Sequence, residues 1–354
     1  MGVAEQGVDR KSMANATIRD VARAADVSVA SVSRALNRHD NVRPALREKV
    51  EAAARLLGYV PHAGARSLSL ARSNAIGVVL PELHGEFFSE LLRGMDREAS
   101  ERGLQLLLSN MHADPERGVE ALHTMRGRVD GLVVMAPHVD PDQLFAHLPA
   151  GVPAVLVSCA PHHQPRPELR IDNEAGARSM VEHLVATGRR RIVHLAGPSG
   201  NIDAEERLAG YRAAMAAAGL EPIVERGTFL EESGVCVAER LVQDGADVDA
   251  VFAANDMMAI GALMAFRRAG IAVPDRVAVA GFDDIPLARL ISPSLTTLRI
   301  DIAGLGERAV ARLIEQIDGG DDHSVELRAP MLVVRDTTSP REDPENREIR
   351  GNNA

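Results

Sequence analysis

From Asn74 onward, short apolar runs alternate with amphipathic helical stretches, and few folds accommodate that pattern. A first series consists of AIGVVLP, GLQLLLSN, GLVVMAP and VPAVLVS, and a second of RIVHLAGP, AVFAAND and VAVAGFDD. Continuous apolar strands separated by helices are typical of parallel sheets that are covered on both faces. Two series predict an α/β body of two doubly wound parallel-sheet subdomains, and PMLVVRDTT predicts a late strand that closes it.

The segment before this body has a purely helical pattern. Thr17 is a good N-cap, with Asp20 three residues later in a variant of the capping box. Ser28 supplies a second N-cap, and Pro44 suits the first turn of a third helix that stops at Gly58. The predicted core positions of these helices are Ile18, Val21, Ala22, Ala25, Val32, Leu36, Val50, Ala53, Ala54 and Leu57. Three short helices with a tight first turn predict a small all-α helix-turn-helix head.

Charge distinguishes the head from the body. The chain of 354 residues has a net charge of -10, yet the segment up to Arg72 carries twelve Lys/Arg against seven Asp/Glu. A basic head on an acidic body predicts that only the head meets a polyanion, although chance clustering gives the same pattern in a short segment. No run of 18 apolar residues and no apolar leader are present, so we expect a cytoplasmic protein without membrane contact. Cys159 and Cys236 are too few for a disulfide framework or a cysteine zinc site.

These patterns predict the following division of the chain. A disordered leader covers residues 1–16, the helix-turn-helix domain 17–60, a hinge helix and linker 61–73, the body 74–338, and a disordered tail 339–354. Within the body, we expect an N-subdomain of about 74–171 and 303–330, and a C-subdomain of about 172–302 and 331–338.

An ordered set of motifs carries a resemblance to a known family. In the head these are TIRDVA from Thr17, VSVASVSRALN from Val27, REKV from Arg47, GYVP from Gly58 and ARSL from Ala65. In the body they are Ile76-Gly77-Val78, Phe87-Phe88, Asp172-Asn173, Gly176, Arg207-Leu208-Ala209-Gly210, Ala254-Asn255-Asp256, Gly281-Phe282-Asp283-Asp284 and Leu295-Thr296-Thr297. From Thr17 to about Pro340 the chain resembles the LacI/GalR family of bacterial transcriptional repressors. The resemblance implies a sequence-specific repressor that binds operator DNA.

The second helix of the head is the expected recognition helix, whose N-terminal residues meet base edges in the major groove. Arg34 can donate two hydrogen bonds to a guanine, whereas Val29 and Ala30 offer apolar contact, for instance to a thymine methyl. Short polar side chains suited to phosphate oxygens are Thr17, Ser28, Ser31, Ser33 and Asn37. The alternative for each of these polar side chains is that it lies on a solvated helix face instead of contacting DNA.

The resemblance also implies a hinge helix that folds on operator DNA and enters the minor groove. Ala65, Arg66 and Leu68 occupy the corresponding positions, with Leu68 as the apolar wedge at the central base step. The alternative is that this segment is a plain linker and not a hinge helix.

The body resembles a periplasmic sugar-binding protein with a ligand cleft between its subdomains. Ligands of open parallel sheets bind beyond the carboxyl ends of the strands. The family's effector positions correspond to Phe87, Ser158, Arg207, Asn255 and Asp283, a set that suits the paired hydroxyls of a sugar. The alternative for the neighbouring carboxylates Asp256 and Asp284 is that they cap the helices that follow.

Two other classes of protein remain to be weighed. An enzyme is disfavoured because no G-x-S-x-G, Walker A or strand-linked G-x-G-x-x-G motif is present. A transport-binding protein is disfavoured by the head. His162-His163 are interpreted as solvated loop histidines rather than metal ligands, and no cofactor or metal is expected. We expect a homodimer on a near-palindrome, and, since no leucine heptad precedes the chain's end, no coiled-coil tetramer.

Overall fold

The computed structural model describes residues 16–37, 41–59, 72–112 and 114–339. The predicted leader up to residue 15, the hinge with Ala65, Arg66 and Leu68, and the tail from residue 340 lie outside the described residues. Contacts within the chain divide it into two compact units between Ser73 and Asn74.

The first unit is a bundle of three helices. They are α1 (Ile18–Ala24), α2 (Val29–Leu36) and α3 (Pro44–Leu56). Asp20 accepts a hydrogen bond from the Thr17 backbone N–H at 3.0 Å, and the Ser28 hydroxyl accepts one from the Ser31 N–H at 3.1 Å. Both N-cap predictions are therefore confirmed.

The core of this unit is formed by the predicted apolar faces, with one exception. Val21, Ala25, Val32 and Val50 are fully or almost fully buried. Leu57 was wrongly placed in this core: it is the C-cap residue of α3 and remains 38% exposed. At the end of α3 the helical spacing no longer fixes the side-chain direction, so periodicity overextends the apolar face by one position.

The second unit contains two parallel sheets covered by helices. The first half of the chain supplies β1 (Ala75–Leu80), α4 (Glu86–Glu101), β2 (Gln105–Asn110), α5 (Pro115–Met125), β3 (Gly131–Met135), α6 (Pro141–His147), β4 (Ala154–Val157) and β5 (Glu168–Ile171). There follow α7 (Asn173–Ala186), β6 (Ile192–Ala196), α8 (Ile202–Ala217), β7 (Ile223–Arg226), α9 (Glu231–Gln243), β8 (Ala250–Ala253), α10 (Asp256–Arg268), β9 (Ala278–Ala280) and β10 (Thr297–Arg299). The chain closes with α11 (Ile302–Ile317), β11 (Val325–Arg328) and β12 (Met331–Val333).

The strand order defines two halves of this unit. A six-stranded parallel sheet has the order β11-β5-β4-β3-β1-β2, and a four-stranded parallel sheet has the order β7-β6-β8-β9. The late strand β12 pairs antiparallel with β10 beside the second sheet. We call the half around the six-stranded sheet, with α11, the N-half, and the half around the four-stranded sheet the C-half. The predicted fold class, a helical head and an α/β body with parallel sheets, is confirmed.

Glycines allow the helices of the C-half to approach one another closely. A Cβ atom on Gly210 of α8 would lie 2.2 Å from the carbonyl oxygen of Glu174 in α7. The two helices therefore pack backbone against backbone, which brings Asn173 at the start of α7 against Arg207 on α8.

Candidate functional site

The outer face of α2 presents the side chains predicted to meet DNA. Val32 and Ala35 are fully buried and fix the inner face of the helix against the bundle. Val29 is 41% exposed although it is apolar, and Ala30 and Arg34 are exposed beside it. An exposed valine at the first turn of a well-buried helix leaves an apolar and a basic contact on the same surface.

The short polar side chains around α2 are already arranged by local hydrogen bonds. The Thr17 hydroxyl donates to Asp20 at 2.6 Å, and the Ser28 and Ser31 hydroxyls lie 2.9 Å apart. The Asn37 amide nitrogen donates to the Ser33 hydroxyl at 3.4 Å. Ser28 and Ser31 lie at the N-terminus of α2, where backbone N–H groups also favour an anion, whereas Ser33 and Asn37 lie toward its C-terminal end.

In the second unit, Arg207 is the centre of a buried polar network. Its side chain is only 5% exposed, and its Nε donates to Asn173 Oδ1 at 2.8 Å, while Nη1 donates to the Ala254 carbonyl. The guanidinium carbon lies 3.8 Å from the centroid of the Phe282 ring. Stacking and two hydrogen bonds hold the planar group in a single orientation.

Asp283 follows β9 and faces this guanidinium. Its Oδ1 lies 3.6 Å from Arg207 Nη1 and has no hydrogen-bond partner among the described residues, although the residue is 5% exposed. The backbone of Asp283 has a φ of 112°, a region that disfavours every residue except glycine. Burial raises the pKa of Asp283 to about 7, and the Arg207 charge opposes the rise.

The two neighbouring carboxylates do not cap helices, so that alternative was wrong. Asp256 accepts hydrogen bonds from the Ile285 N–H at 2.9 Å and from the Thr297 hydroxyl. Burial, and then the charge of Asp283, raise the pKa of Asp256 well above its usual value. Asp284 pairs with Arg299 and Arg335.

Asn255 provides the cap instead. Its Oδ1 accepts from the Met258 N–H at 3.0 Å, and its Nδ2 donates to the Phe229 carbonyl at 2.9 Å. The structure thus uses both ends of the Asn255 side chain to fix the turn between β8 and α10.

Ser158 and Phe87, the remaining predicted ligand residues, belong to the N-half. Ser158 directly follows β4 and has a φ of 47°. It is almost fully buried, and its hydroxyl has no hydrogen-bond partner among the described residues. Phe87 lies in the first turn of α4 and packs edge-on against Phe88 at a centroid distance of 5.2 Å.

Two hydrogen bonds join the halves near Ser158. The Ile202 N–H donates to the Pro137 carbonyl at 3.0 Å, and Asn201 Nδ2 lies 3.2 Å from His138 Nε2. Burial lowers the pKa of His138, which keeps the ring neutral and able to accept from the amide.

Three further polar residues of the C-half join the network around Arg207 and were not predicted from the sequence: Asn173, Asp203 and Glu206. Asn173 Nδ2 donates to Asp203 Oδ1 at 2.8 Å and to Glu206 Oε2 at 3.0 Å. In the structure Asp203 and Glu206 lie on α8, four and one residues before Arg207. The first of these spacings puts Asp203 and Arg207 on one face.

His162 is not a solvated loop residue, so that interpretation was wrong. Its side chain is 5% exposed, its Nε2 lies 3.2 Å from Glu168 Oε2, and its ring packs edge-on against Phe145. Glu168 also accepts from Arg170 Nε at 2.8 Å and from the Cys159 N–H at 3.3 Å. This buried carboxylate fixes the loop after Ser158, a role that sequence spacing could not reveal because its partners are distributed along an irregular loop.

No helix within the described residues combines the length and apolar character that crossing a bilayer requires.

A helix-turn-helix head in one chain with a body of two parallel sheets defines a class of bacterial regulators. The family model "Bacterial regulatory proteins, lacI family" matches residues 17–62, and that of a "Periplasmic binding protein-like domain" matches residues 181–338. The chain belongs to the LacI family of DNA-binding transcriptional repressors, whose members are not enzymes.

Individual relatives match over almost the whole chain. The chain is 37% identical to the ribose operon repressor of Escherichia coli, over 85% of this chain and 93% of that protein. It is 36% identical to the transcriptional regulator CelR of Thermobifida fusca, over 91% and 98% of the two chains. A crystal structure of the Lac repressor dimer bound to operator and the anti-inducer ONPF superposes with a TM-score of 0.83 at 32% identity, covering 92% and 99% of the chains.

Proposed function

We propose that the protein is a homodimeric transcriptional repressor that binds a near-palindromic operator and is released by a small polar effector, most simply a sugar. The observation that carries the proposal is the combination, in one chain, of an exposed α2 face and a buried polar network around Arg207 in a body of this family. On this proposal the protein acts in the cytoplasm, on the nucleoid when it is bound to DNA.

In the head, Arg34 would read a guanine through two hydrogen bonds while Val29 and Ala30 contact a neighbouring base. The exposure of all three supports this assignment. The hydroxyls of Thr17, Ser28, Ser31 and Ser33, with the Asn37 amide, would bond phosphates and set the register. One such helix covers little DNA, so two heads on two half-sites supply the specificity.

Between the head and the body, Ala65, Arg66 and Leu68 would enter the minor groove, with Leu68 as the wedge. The match of the lacI-family model to residues 17–62, just before these three residues, supports that register. Inserting an apolar wedge unstacks a base step and bends the duplex, and the added protein contact offsets that cost.

In the cleft, Arg207 and Asp283 would bond the hydroxyls of the effector. Asp283 Oδ1 and the Ser158 hydroxyl support this, because both are buried without a hydrogen-bond partner among the described residues. A buried polar atom in that condition gains a bond when a ligand arrives. Phe87 would cover an apolar face of the ring, and Asn255 would contribute by fixing the turn that precedes α10.

Among solved relatives, one structure is described as a CelR–cellobiose complex, with 32% identity and a TM-score of 0.66. That ligand belongs to CelR, and it supports the general class of effector for this chain.

The test begins with operator selection from a random palindromic library, followed by fluorescence anisotropy at fixed salt. Arg34→Ala is expected to lower specific affinity by about 1–3 kcal/mol through loss of a bidentate guanine contact. Arg55→Ala is the matched control, since it also removes one exposed positive charge, from α3. Equal losses for the two variants would contradict base recognition by Arg34.

A further inference from the structure

The wall of the cleft that the C-half provides holds more negative charge than its own cations compensate. Asp203 is almost fully buried in the first turn of α8, and Glu206 is half-buried one turn later. Both carboxylates share a single donor, the amide nitrogen of Asn173. A carboxylate pair has about eight lone-pair positions between its four oxygens, so most of this acceptor capacity is not taken up by hydrogen bonds from the described residues.

The nearby guanidiniums are committed elsewhere. Arg207 donates to Asn173 and Ala254 and faces Asp283. Arg170 bonds Glu168 at 2.8 Å, and Arg226 bonds Glu205 at 2.9 Å on the outer side of α8. Asp203 and Glu206 therefore have no guanidinium partner of their own among the described ion pairs.

The two carboxylates act on each other electrostatically. Burial raises the pKa of Glu206 and so does the charge of Asp203, whereas the hydrogen bond from Asn173 and the charges of Arg170 and Arg207 lower it. Asp203 also raises the pKa of Asp283, and it raises that of the Cys159 thiol in the N-half. Asp203 thus lies close enough to both walls for its charge to be felt on each side of the cleft.

An independent observation points to a ligand at the same place. Asp283 Oδ1 is buried and has no hydrogen-bond partner among the described residues, and Asp283 does not belong to the pair that shares Asn173. A buried carboxylate oxygen in that condition costs free energy until a donor reaches it.

We infer that the effector carries a protonated amine, and that the cleft takes an amino sugar whose ammonium pairs with Asp203 and Glu206. This inference rests on the proposed function, since it assumes that the cleft binds the effector. An ammonium has three donors and no acceptor, which matches two carboxylates with spare lone pairs. Hydroxyl groups on the same ring bond Asp283 and Arg207. A phosphorylated or carboxylated sugar adds charge of the wrong sign and is rejected.

The experiment is isothermal titration of the full-length protein with three matched series: glucosamine, galactosamine and mannosamine, each with its parent hexose and its N-acetyl derivative. The N-acetyl derivative keeps the nitrogen and removes its charge. At least one amine is expected to bind about tenfold more tightly than both of its neutral counterparts, a difference of about 1.4 kcal/mol.

Substitutions test whether Asp203 and Glu206 cause the preference for the amine. Asp203→Asn and Glu206→Gln keep the side-chain shapes, and each is expected to reduce amine affinity about tenfold while the neutral sugars change little. Glu205→Gln is the control, because Glu205 lies on the same turn and pairs with Arg226 instead. A melting temperature and an operator affinity equal to those of the wild type would establish that each variant is folded.

The outcomes separate this inference from the proposed function. A neutral hexose that binds as tightly as its amine, and loses binding in Arg207→Ala, overturns the amine inference and leaves the effector cleft in place. An amine preference that survives both Asp203→Asn and Glu206→Gln also overturns it. If no amine binds up to millimolar concentration, the inference is overturned, whereas failure of selected operator DNA to bind would overturn the proposed function.

Discussion

The two walls of the cleft differ in how far their polar side chains are bonded to one another. In the C-half, Arg207 is held by Asn173, Ala254 and the Phe282 ring before any ligand arrives. In the N-half, the Ser158 hydroxyl has no partner among the described residues. A pre-organised wall loses little entropy on binding, so on the proposed function we expect the C-half to determine the chemistry of the ligand and the N-half to complete its enclosure.

The largest effect is expected from removing the centre of the pre-organised wall. Arg207→Ala removes the cation that faces the buried Asp283 and the donor that bonds Asn173 Oδ1 and the Ala254 carbonyl. Breaking a buried ion pair from one side costs about 3–5 kcal/mol, which urea unfolding measures. Arg212→Ala, on an exposed position of the same helix, is the control and should change stability by less than about 0.5 kcal/mol. Similar losses for both variants would contradict the central role of Arg207.

A smaller effect concerns pH. Because burial raises the pKa of Asp283 to about 7, the folded state holds this proton more tightly than the unfolded state does. The contribution of Asp283 to stability is therefore full below pH ~4 and declines as pH rises toward about 7, where the folded carboxyl ionises. The charge of Arg207 lowers the pKa of Asp283 and so reduces this decline, whereas the charge of Asp203 raises that pKa and so increases the decline.

The free energy of unfolding of the wild type should accordingly fall, relative to Asp283→Asn, by roughly 1–3 kcal/mol between pH 5 and pH 8. Urea titrations of both proteins at several pH values measure the difference. Parallel pH profiles would show that Asp283 ionises normally in the folded protein.

The smallest effect on stability and binding is expected from a substitution in the N-half, at Ser158. Ser158→Ala removes a buried hydroxyl that has no partner, so stability should be unchanged or slightly higher. Effector affinity should fall by about 0.5–1.5 kcal/mol, because the hydroxyl finds its partner in the ligand. Ser179→Ala is the contrasting variant, since the Ser179 hydroxyl already donates to Gly176. A loss of stability in Ser158→Ala without a loss of affinity would place that hydroxyl in the packing of the N-half.

The sequence predicted those parts of the fold that have a strong local pattern. Strands β1, β3, β4, β8 and β9 are buried on both faces and stand out as apolar runs. Strands β5, β7 and β11 were missed because their sequences, ELRI, IVER and VELR, contain charged residues and form no continuous apolar run. Such a strand is defined by the neighbour that it pairs with, which sequence order does not give.

The contacts around the predicted effector residues were only partly predictable. Arg207 and Asp283, named from the motifs, face each other in the buried network, while their binding of an effector stays a prediction. The part that Asn173 plays depends on how α7 packs against α8, and the burial of His162 depends on a carboxylate in an irregular loop. Such contacts arise from tertiary packing, and no local pattern in the chain encodes them.

The most direct measurement is operator affinity as a function of effector, determined by anisotropy in the wild type and in Arg207→Ala. In the wild type, saturating effector should weaken operator binding by about 1–3 kcal/mol, and operator should weaken effector binding by the same amount. In Arg207→Ala, operator binding should persist and the response to effector should vanish. An equal response in both proteins would contradict the assignment of the cleft, and an unchanged operator affinity at saturating effector would contradict release by the effector.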